Sequence, residues 1–402
     1  MELLSEQFGR ELPRLDPSDQ NYVPQLVSAI LAGARSARAT DVHLIPAADE
    51  LEMRWRIDGV LTRIAGFPPA LAPRVTARLK VLSQLLTYRT DVPQEGRLHG
   101  PATEAADEVR ISTFPTLFGE KVVVRLFAGA GRFHRLGDLG LPTDVLETLM
   151  RLLDETGGVI LVTGPAGSGK TTTIYAALRE LADKSGGGRS LVTLEDPIEV
   201  VVPGVAQSQI NPAAGFDMAG GLRSLLRQDP EVMAVGEIRD RGTAETVFQA
   251  SLTGHLVLTT FHAGSAAQAI NRLSDMGIEP YLLRSGVRAI VCQRLLRKLC
   301  ACAKGAADDE SRMGFPVGLV RVPAGCDKCS GTGYHGRFVL TEMLLPQPGE
   351  VGRAILSRSE ARELERLAVD AGMITQYQRA CDAVAAGWTS PAEVRRVLGF
   401  QS

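Results

Sequence analysis

The sequence predicts an α/β protein in which a small mixed α/β domain precedes a larger domain built on a parallel sheet. The early part of the chain alternates apolar and polar residues, which is typical of strands with one buried face. The later part contains short continuous apolar runs, which are typical of parallel strands buried on both faces. A glycine-bearing stretch separates the two patterns. We therefore expect a short N-terminal tail over 1–22, the small domain over 23–128, a linker over 129–142 and the larger domain over 143–402.

The composition of the 402-residue chain excludes several broad classes of protein. Apolar residues make up 45% and charged residues 22%, close to the averages of globular proteins, which excludes disorder as the main state. Lys and Arg number 44 against 46 Asp and Glu, a balance that argues against a general nucleic-acid binder. No apolar run reaches the ~18 residues of a membrane span, and the acidic N-terminus is unlike a secretory signal. Six cysteines are too few for a disulfide scaffold, which favours a reducing cytosol.

The small domain contains two helical stripes and several strand-like runs. Residues 51–61 alternate around Asp58-Gly59, a turn signal that predicts a hairpin. Two further strand-like runs follow at 109–114 and 121–127, and the linker begins at Gly129-Ala130-Gly131. The apolar positions of the two helical stripes are Leu26, Ala29, Ile30 and Gly33, and then Val75, Leu79, Leu82 and Leu86.

The larger domain alternates apolar strands with helices. Its first strand is Val159-Ile160-Leu161-Val162, and the helix after it carries an apolar stripe at Ile174, Ala177, Leu178 and Leu181. Further short strands are expected at 191–194, 232–235 and 256–258. This alternation predicts a parallel α/β core, followed by C-terminal helices.

The run from Gly164 to Thr171 matches the phosphate-binding pattern G-x-x-x-x-G-K-[ST] between a strand and a helix. Its glycines let backbone N–H groups turn toward phosphates, and the helix N-terminus adds a positive dipole. We expect Lys170 to reach the β- and γ-phosphates of ATP, and Thr171 to ligate Mg²⁺. The residues assigned to the nucleotide here are Gly164, Pro165, Ala166, Gly167, Ser168, Gly169, Lys170, Thr171 and Thr172.

Two carboxylate clusters follow predicted strands and are candidates for catalysis. Gly236 occupies the usual position of an Asp after the strand at 232–235, so Glu237 is expected to act through Mg²⁺-bound water. Glu195 opens a second cluster after the strand at 191–194. Either cluster alone would be a solvated strand end, but strand ends in such a sheet meet at the nucleotide crevice.

Two histidines, His255 and His262, bracket the apolar strand that begins at Leu256. A lone histidine at a strand end is more often structural. Because this pair belongs to a sheet with a phosphate-binding loop, we expect both histidines to sense the γ-phosphate.

Several motifs resemble those of the type II secretion and type IV pilus assembly ATPases, a family of ring-forming bacterial motors. The resemblance runs through nearly the whole chain and includes the family's aspartate box, Walker B region and histidine box. The motifs are Thr40-Asp41-Val42-His43, Arg56-Ile57-Asp58-Gly59-Val60-Leu61, Ile111-Ser112-Thr113-Phe114-Pro115-Thr116-Leu117-Phe118-Gly119-Glu120-Lys121, Leu194-Glu195-Asp196-Pro197-Ile198-Glu199, Leu226-Arg227-Gln228-Asp229-Pro230, Gly236-Glu237-Ile238-Arg239-Asp240 and Leu252-Thr253-Gly254-His255-Leu256-Val257-Leu258.

The resemblance implies a RecA-like ATPase domain after the small domain, six subunits in a ring, and ATP with Mg²⁺ as cofactors. It also implies that Arg110 and Arg125 of the small domain close over the phosphates. The residues alone would place these two arginines on a solvated sheet face. Arg223, Arg227 and Arg239 match further arginines of the family.

The implied function is that of an ATP-hydrolysing motor that powers type II secretion or pilus assembly. Its partner would be an inner-membrane platform protein rather than a nucleic acid, and the motor would be cytoplasmic and peripheral on that membrane. Fewer than about 25 residues precede the first predicted helix, too few for the extra N-terminal domain by which many members dock. The retraction signature Ala-Ile-Arg-Ala-Gly-Glu is absent, which favours assembly over retraction. A retraction motor, a nucleotide-gated scaffold with negligible turnover and a hexameric nucleic-acid translocase are the alternatives.

The cysteines of an insertion predicted at about 298–340 indicate a metal site. Cys326 and Cys329 form a Cys-x-x-Cys pair, which lets both thiolates reach one tetrahedral zinc ion. Cys300 and Cys302 are one residue closer together, so they join such a site only through a distorted loop. Secretion-type members often hold zinc with two Cys-x-x-Cys pairs, and the resemblance therefore implies zinc here. The alternative is a degenerate site with free thiols.

Overall fold

The chain divides into two compact units in the computed structural model, which describes residues 8–9, 19, 21–98, 109–126, 134–346 and 349–399. The first unit comprises Met1–Ala130, Arg297–Gly305 and Arg321–Gly336. The second comprises Gly131–Leu296, Ala306–Val320 and Arg337–Ser402. The linker motif Gly129-Ala130-Gly131 lies outside the described residues.

Two parts of the chain do not lie where the sequence predicts them. Leu136 and Leu141, within the predicted linker, are buried in the core of the second unit. The cysteine-bearing segments, predicted as an insertion in the larger domain, belong to the first unit. The backbone N–H of Gly336 donates to a carboxylate oxygen of Asp58 at 2.9 Å, which ties one of these segments to the first unit.

A six-stranded antiparallel sheet forms the first unit, with two helices packed on one face. The elements are α1 (Tyr22–Ser36), β1 (Ala39–Pro46), β2 (Leu51–Ile57), β3 (Val60–Phe67), α2 (Leu71–Leu82), β4 (Gln94–Arg97), β5 (Val109–Thr116) and β6 (Gly119–Leu126), and the sheet order is β3-β2-β1-β6-β5-β4. Alternate strand residues such as Val42, Met53 and Trp55 pack in the core with both helices, so the polar residues between them face the other side. The predicted hairpin is confirmed, since Asp58 and Gly59 adopt φ angles of 47° and 84° between β2 and β3.

The second helix of this unit ends earlier than its apolar stripe predicts. It stops at Leu82, and Leu86 is exposed beyond it. Gln84 takes a left-handed φ of 57°, and the N–H of Leu85 donates back to the carbonyl oxygen of Lys80. This closing pattern turns the chain off the helix axis before Leu86.

The second unit contains a seven-stranded sheet whose central strands run parallel, and the predicted α/β fold class is confirmed. Its strands are β7 (Gly158–Thr163), β8 (Leu191–Glu195), β9 (Ala206–Gln209), β10 (Val232–Val235), β11 (Leu256–Phe261), β12 (Val287–Leu299) and β15 (Tyr334–Leu344), in the order β15-β12-β7-β11-β10-β8-β9. A separate two-stranded sheet pairs β13 (Lys304–Ala306) with β14 (Val320–Val322).

Helices cover both faces of this parallel sheet. In chain order, the helices of the second unit are α3 (Thr143–Leu152), α4 (Lys170–Ser185), α5 (Met218–Leu225), α6 (Arg241–Leu252), α7 (Ala266–Asp275), α8 (Pro280–Gly286), α9 (Asp309–Arg312), α10 (Glu350–Leu356), α11 (Ala361–Asp370), α12 (Gln376–Ala385) and α13 (Pro391–Leu398). One core layer contains α3 and α4, and the other contains α6, α7 and α8. No helix in the described part of the chain combines the length and apolar character that crossing a bilayer requires.

We expect the buried ion pair of Lys80 to be essential for the stability of the first unit. Its ammonium lies 2.6 Å from Glu120 Oε1 and donates to the carbonyl oxygen of Arg89 at 2.7 Å. Lys80→Ala leaves the Glu120 carboxylate buried without its cation, so urea denaturation should show a loss of about 3–5 kcal/mol in the free energy of unfolding. The control Arg89→Ala breaks only an exposed pair with Asp91 and should cost about 0–1 kcal/mol. Equal losses in the two variants would contradict the expectation.

Candidate nucleotide site

Four parallel strands of the second unit end at the same edge of the sheet. Phe261 of β11 pairs with Thr163 of β7, and Val235 of β10 pairs with Thr259 of β11 and with Leu194 of β8. Since these strands run in one direction, the residues that follow them meet at the carboxyl edge. The predicted residues brought to this edge are Gly164, Glu195, Gly236, Glu237 and His262.

The loop after β7 has the backbone that phosphate binding requires. Gly164, Gly167 and Gly169 adopt φ angles of 143°, 73° and 92°, which favour glycine. A Cβ on Gly164 would lie 2.4 Å from the carbonyl oxygen of Gln293, so this position has no room for a side chain. The Ser168 hydroxyl is buried and has no hydrogen-bond partner within the described residues. Helix α4 starts directly after the loop, so its free N–H groups and its dipole point toward the same space.

The Lys170 side chain folds back over this loop. Its ammonium donates to the carbonyl oxygens of Gly164 at 2.9 Å and Pro165 at 3.0 Å. Burial lowers the pKa of Lys170, and the negative charge of Glu237 opposes that shift. Lys170 thus holds a cation beside the loop, while Thr171, next in the chain, is exposed on the first turn of α4.

The Glu237 carboxylate contacts two side chains at the carboxyl edge. Its Oε1 lies 2.7 Å from His262 Nε2, and its Oε2 accepts a hydrogen bond from Arg239 Nε at 2.9 Å. Arg239 also donates to Asp196 Oδ2 at 3.3 Å, and its hydrogen bond to Glu237 raises the pKa of Arg239. With 18% of its side chain exposed, Glu237 is held by two groups yet remains accessible to solvent.

The Glu195 carboxylate accepts hydrogen bonds from uncharged donors on both of its oxygens. Its Oε2 accepts from the Tyr175 hydroxyl at 2.5 Å, and its Oε1 accepts from the Thr193 hydroxyl at 2.5 Å and the Gln207 amide at 3.1 Å. The Tyr175 oxygen also accepts from the N–H of Glu199 at 2.9 Å. Burial is the largest cause that raises the pKa of Tyr175, and the hydrogen bond to Glu195 raises this pKa further. Glu195 therefore links the helix after the phosphate loop to β8 and β9.

The three partners of Glu195 were not among the residues predicted for the site. Tyr175 and Gln207 lie 20 and 12 positions away along the chain, and no local pattern relates them to the carboxylate. Thr193 was the one partner with a signal, because residues two apart share one face of a strand.

The other predicted residues of the second unit lie apart from this group. His255 precedes β11, and its carbonyl oxygen accepts from the N–H of Gly158 at the opposite edge of the sheet. Its Nδ1 contacts a carbonyl oxygen of α6 at 3.0 Å, so the structure does not bring it to His262. Arg223 and Arg227 are exposed on and just after α5.

The first unit holds its two predicted arginines on one sheet face. Arg110 of β5 lies directly opposite Arg125 of β6, which lies opposite Asp41 of β1. Arg125 Nε donates to Asp41 Oδ1 at 3.2 Å, and 62% of the Arg125 side chain is exposed. This face is the polar one, away from the two helices.

Four cysteine sulfurs also meet in the first unit. The Sγ atoms of Cys300, Cys302, Cys326 and Cys329 all lie within 4.8 Å of one another. The N–H of Cys300 donates to the carbonyl oxygen of Gly333 at 2.9 Å, which holds the Cys-x-Cys pair against the Cys-x-x-Cys loop. The tighter spacing of the first pair therefore does not keep the four thiols apart.

The family to which the chain belongs is shown by its similarity to known proteins. Residues 16–396 match the family model for the type II/IV secretion system protein. The chain belongs to this family. The type II secretion system protein E of Aeromonas hydrophila is 39% identical over 401 residues, which cover 98% of this chain and 79% of the relative. The type IV pilus assembly ATPase PilB of Thermus thermophilus is 34% identical over 402 residues, which cover 98% of this chain and 45% of the relative.

Solved structures of other proteins share the fold of this type II/IV secretion system protein. The ATPase DotB of Legionella pneumophila matches with a TM-score of 0.69 at 20% identity, covering 96% of this chain and 97% of DotB. The pilus retraction motor PilT with bound ADP matches with a TM-score of 0.55 at 24% identity, covering 92% and 98%. These likenesses confirm the predicted RecA-like fold, and family membership confirms the predicted ATP hydrolysis.

We expect Glu237→Gln to separate ATP binding from ATP hydrolysis in this secretion ATPase. The amide keeps the size of the side chain but cannot accept a proton from water, so turnover should fall ~100-fold or more. The dissociation constant for ATP, measured by equilibrium binding of a fluorescent analogue, should change little. Glu195→Gln is the matched variant, and disturbing its three hydrogen bonds should lower the melting temperature more than Glu237→Gln does. Unchanged turnover in Glu237→Gln would transfer the catalytic role to Glu195.

Proposed function

We propose that this chain is a hexameric cytoplasmic motor, which hydrolyses ATP with Mg²⁺ to power type II secretion or type IV pilus assembly. The observation that carries the proposal is the sheet edge where the phosphate loop, Glu237, His262 and Arg239 lie together. Relatives matched over nearly the whole chain are named for type II secretion and for type IV pilus assembly. These names support an assembly or secretion motor rather than a retraction motor or a non-catalytic scaffold.

The proposed chemistry uses the residues of this edge in distinct roles. The loop N–H groups bind phosphate oxygens, and Lys170 donates to the β- and γ-phosphates in place of its two carbonyl partners. When bound, Mg²⁺ neutralises charge on the phosphate oxygens, and Thr171 offers the hydroxyl that would hold it. Glu237 orients the attacking water and accepts its proton, while His262 and Arg239 hold the carboxylate in place. Glu195 is buried, with hydroxyl and amide groups bonded to both of its oxygens, which favours a positioning role for that residue.

We propose that the other predicted arginines stabilise the negative charge of the phosphates. Arg110 and Arg125 supply cations to the transferring phosphoryl group, a contribution that can be worth ~10³-fold or more in rate. Arg223, exposed on α5, and Arg227, exposed just after it, would bind the nucleotide. His255 lies at the opposite edge of the sheet, and we therefore assign it no role in ATP hydrolysis.

The proposed partners are five further copies of the chain and a platform protein of the inner membrane, on which the motor is peripheral. The near balance of 44 basic and 46 acidic residues supports a protein partner rather than a nucleic acid. A crosslinking pull-down from membranes would identify the partner and therefore the system that the motor serves.

We also propose that the four cysteines hold one structural zinc ion. A tetrahedral ion with Zn–S bonds of about 2.3 Å separates its sulfur ligands by about 3.8 Å. The Sγ distances fit this geometry, at 3.7 Å for Cys300–Cys326, 3.9 Å for Cys302–Cys329 and 3.8 Å for Cys326–Cys329. Four thiolates complete the coordination sphere, which favours a structural role over a catalytic one.

Phosphate release from ATP tests the proposed activity. The purified protein should hydrolyse ATP only with Mg²⁺, and slowly while its membrane partner is absent. Lys170→Ala removes the cation at the β- and γ-phosphates, so turnover should fall at least ~100-fold. The control Lys184→Ala changes a lysine at the far end of the same helix, paired with Asp154 at 2.8 Å, and should keep wild-type turnover. Turnover that survives Lys170→Ala, or that DNA stimulates, would contradict the proposal.

Metal analysis tests the zinc site. Protein purified without chelator should contain close to one zinc per chain, and Cys326→Ser should lower that content, because each thiolate is one of four ligands. Cys381→Ser, outside the cluster, is the control and should leave the metal content unchanged. Removing zinc should lower the melting temperature of the first unit. A metal content near zero, with all four thiols open to titration, would exclude the site.

A further inference from the structure

The polar face of the small sheet carries one row of charged residues across five strands. Directly opposite pairs join Arg97 to Arg110, Arg110 to Arg125, Arg125 to Asp41, and Asp41 to Arg56. Side chains in such pairs lie about 5 Å apart at Cβ, and like charges placed there repel. The row therefore contains four cations and a single carboxylate, which lies between Arg125 and Arg56.

The carboxylate of Asp41 is fully engaged in this row. Its Oδ1 accepts from Arg125 Nε at 3.2 Å, and its Oδ2 lies 3.3 Å from Arg56 Nε. Oδ2 also accepts from the Thr40 hydroxyl at 2.8 Å, and Asp41 is 8% exposed. A buried carboxylate with both oxygens in use is a rigid anchor rather than a solvated surface charge.

The hydrogen bond between Arg125 and Asp41 also involves the nitrogen that best suits phosphate binding by the rest of the guanidinium. The hydrogen bond uses Nε, the guanidinium nitrogen closest to the backbone. The Arg125 side chain as a whole is 62% exposed. A guanidinium held at Nε leaves its terminal N–H groups for other acceptors, in the planar arrangement that matches phosphate oxygens.

We propose that Asp41 is a positioning residue for Arg125, which it holds ready for the transferring phosphoryl group. This inference rests on the proposed function, in which Arg125 supplies a cation to that group. Without the carboxylate, Arg125 would lie between Arg110 and Arg56 with no counter-charge in the row, and repulsion would displace its guanidinium. The inference gives a function to Asp41 of the Thr40-Asp41-Val42-His43 motif, which the nucleotide site leaves unexplained.

Asp41→Asn is the direct test, because it keeps the shape of the side chain and removes its charge. We expect kcat for ATP hydrolysis to fall about 10-fold, since small displacements of a catalytic cation are costly, while KM changes by less than about 2-fold. The matched control is Glu52→Gln, which removes a carboxylate from the same sheet face but one that pairs with Arg54 at 2.9 Å and Arg63 at 3.3 Å. Glu52→Gln should hydrolyse ATP at the wild-type rate.

A double-mutant cycle with Arg125→Ala separates this inference from the proposed function. If Asp41 acts through Arg125, Asp41→Asn should have no further effect on kcat in the Arg125→Ala background. Wild-type turnover in Arg125→Ala would overturn the proposed role of that arginine. Slow turnover in Arg125→Ala combined with unchanged or faster turnover in Asp41→Asn would overturn the positioning inference alone. Additive losses in the double variant, with a matching drop in melting temperature, would assign Asp41 a merely structural role and also overturn the inference.

Discussion

The parallel register of β7, β11, β10 and β8 is the constraint on which the nucleotide site depends. The register is maintained by backbone hydrogen bonds and by side chains that pack on both faces of the sheet. In β7, Ile160 and Val162 pack into one layer of helices, whereas Val159 and Leu161 pack into the other. A slip of one residue between neighbouring strands would exchange these faces. Because the same register determines where each strand ends, the core and the site have a common physical origin.

Two glutamates end neighbouring strands of this sheet, yet their surroundings give them different properties. Glu195 accepts three hydrogen bonds from hydroxyl and amide groups, and its carboxylate joins the phosphate-loop helix to the sheet. Glu237 contacts His262 and Arg239, and it is partly accessible to solvent. A buried carboxylate bonded to hydroxyl and amide groups orders its framework, whereas one that contacts a histidine and is accessible to water is suited to proton transfer. The small sheet also has a buried carboxylate with both oxygens engaged, Asp41, but two of its partners are arginines.

Local patterns predicted much of the fold and part of the site. The apolar run at 159–162 and the turn at Asp58-Gly59 formed the expected strand and hairpin, because both depend on residues close together in the chain. The phosphate loop was predicted for the same reason, since its glycines and Lys170 are consecutive. The position of Glu237 at the carboxyl edge followed from a rule about strand ends in parallel sheets, but its contact with His262 was not predicted.

Contacts between distant parts of the chain were beyond the reach of local patterns. His255 and His262 bracket one strand symmetrically in sequence, but a six-residue strand separates its ends by about 20 Å, so only one of them reaches the carboxyl edge. Tyr175 meets Glu195 because α4 packs on the sheet in one particular orientation, which the sequence does not encode locally. The closeness of the cysteines likewise depends on how two loops fold together rather than on the spacing within each pair.

Amide hydrogen exchange with and without a non-hydrolysable ATP analogue and Mg²⁺ tests most directly whether the carboxyl edge is the nucleotide site. A nucleotide site at this edge predicts slower exchange in peptides covering 164–172, 236–239 and 262–265, because bound phosphates would order these loops. It also predicts unchanged exchange around 252–256, at the opposite edge of the same sheet. Slower exchange confined to that opposite edge, or no change in the phosphate loop at saturating nucleotide, would contradict it.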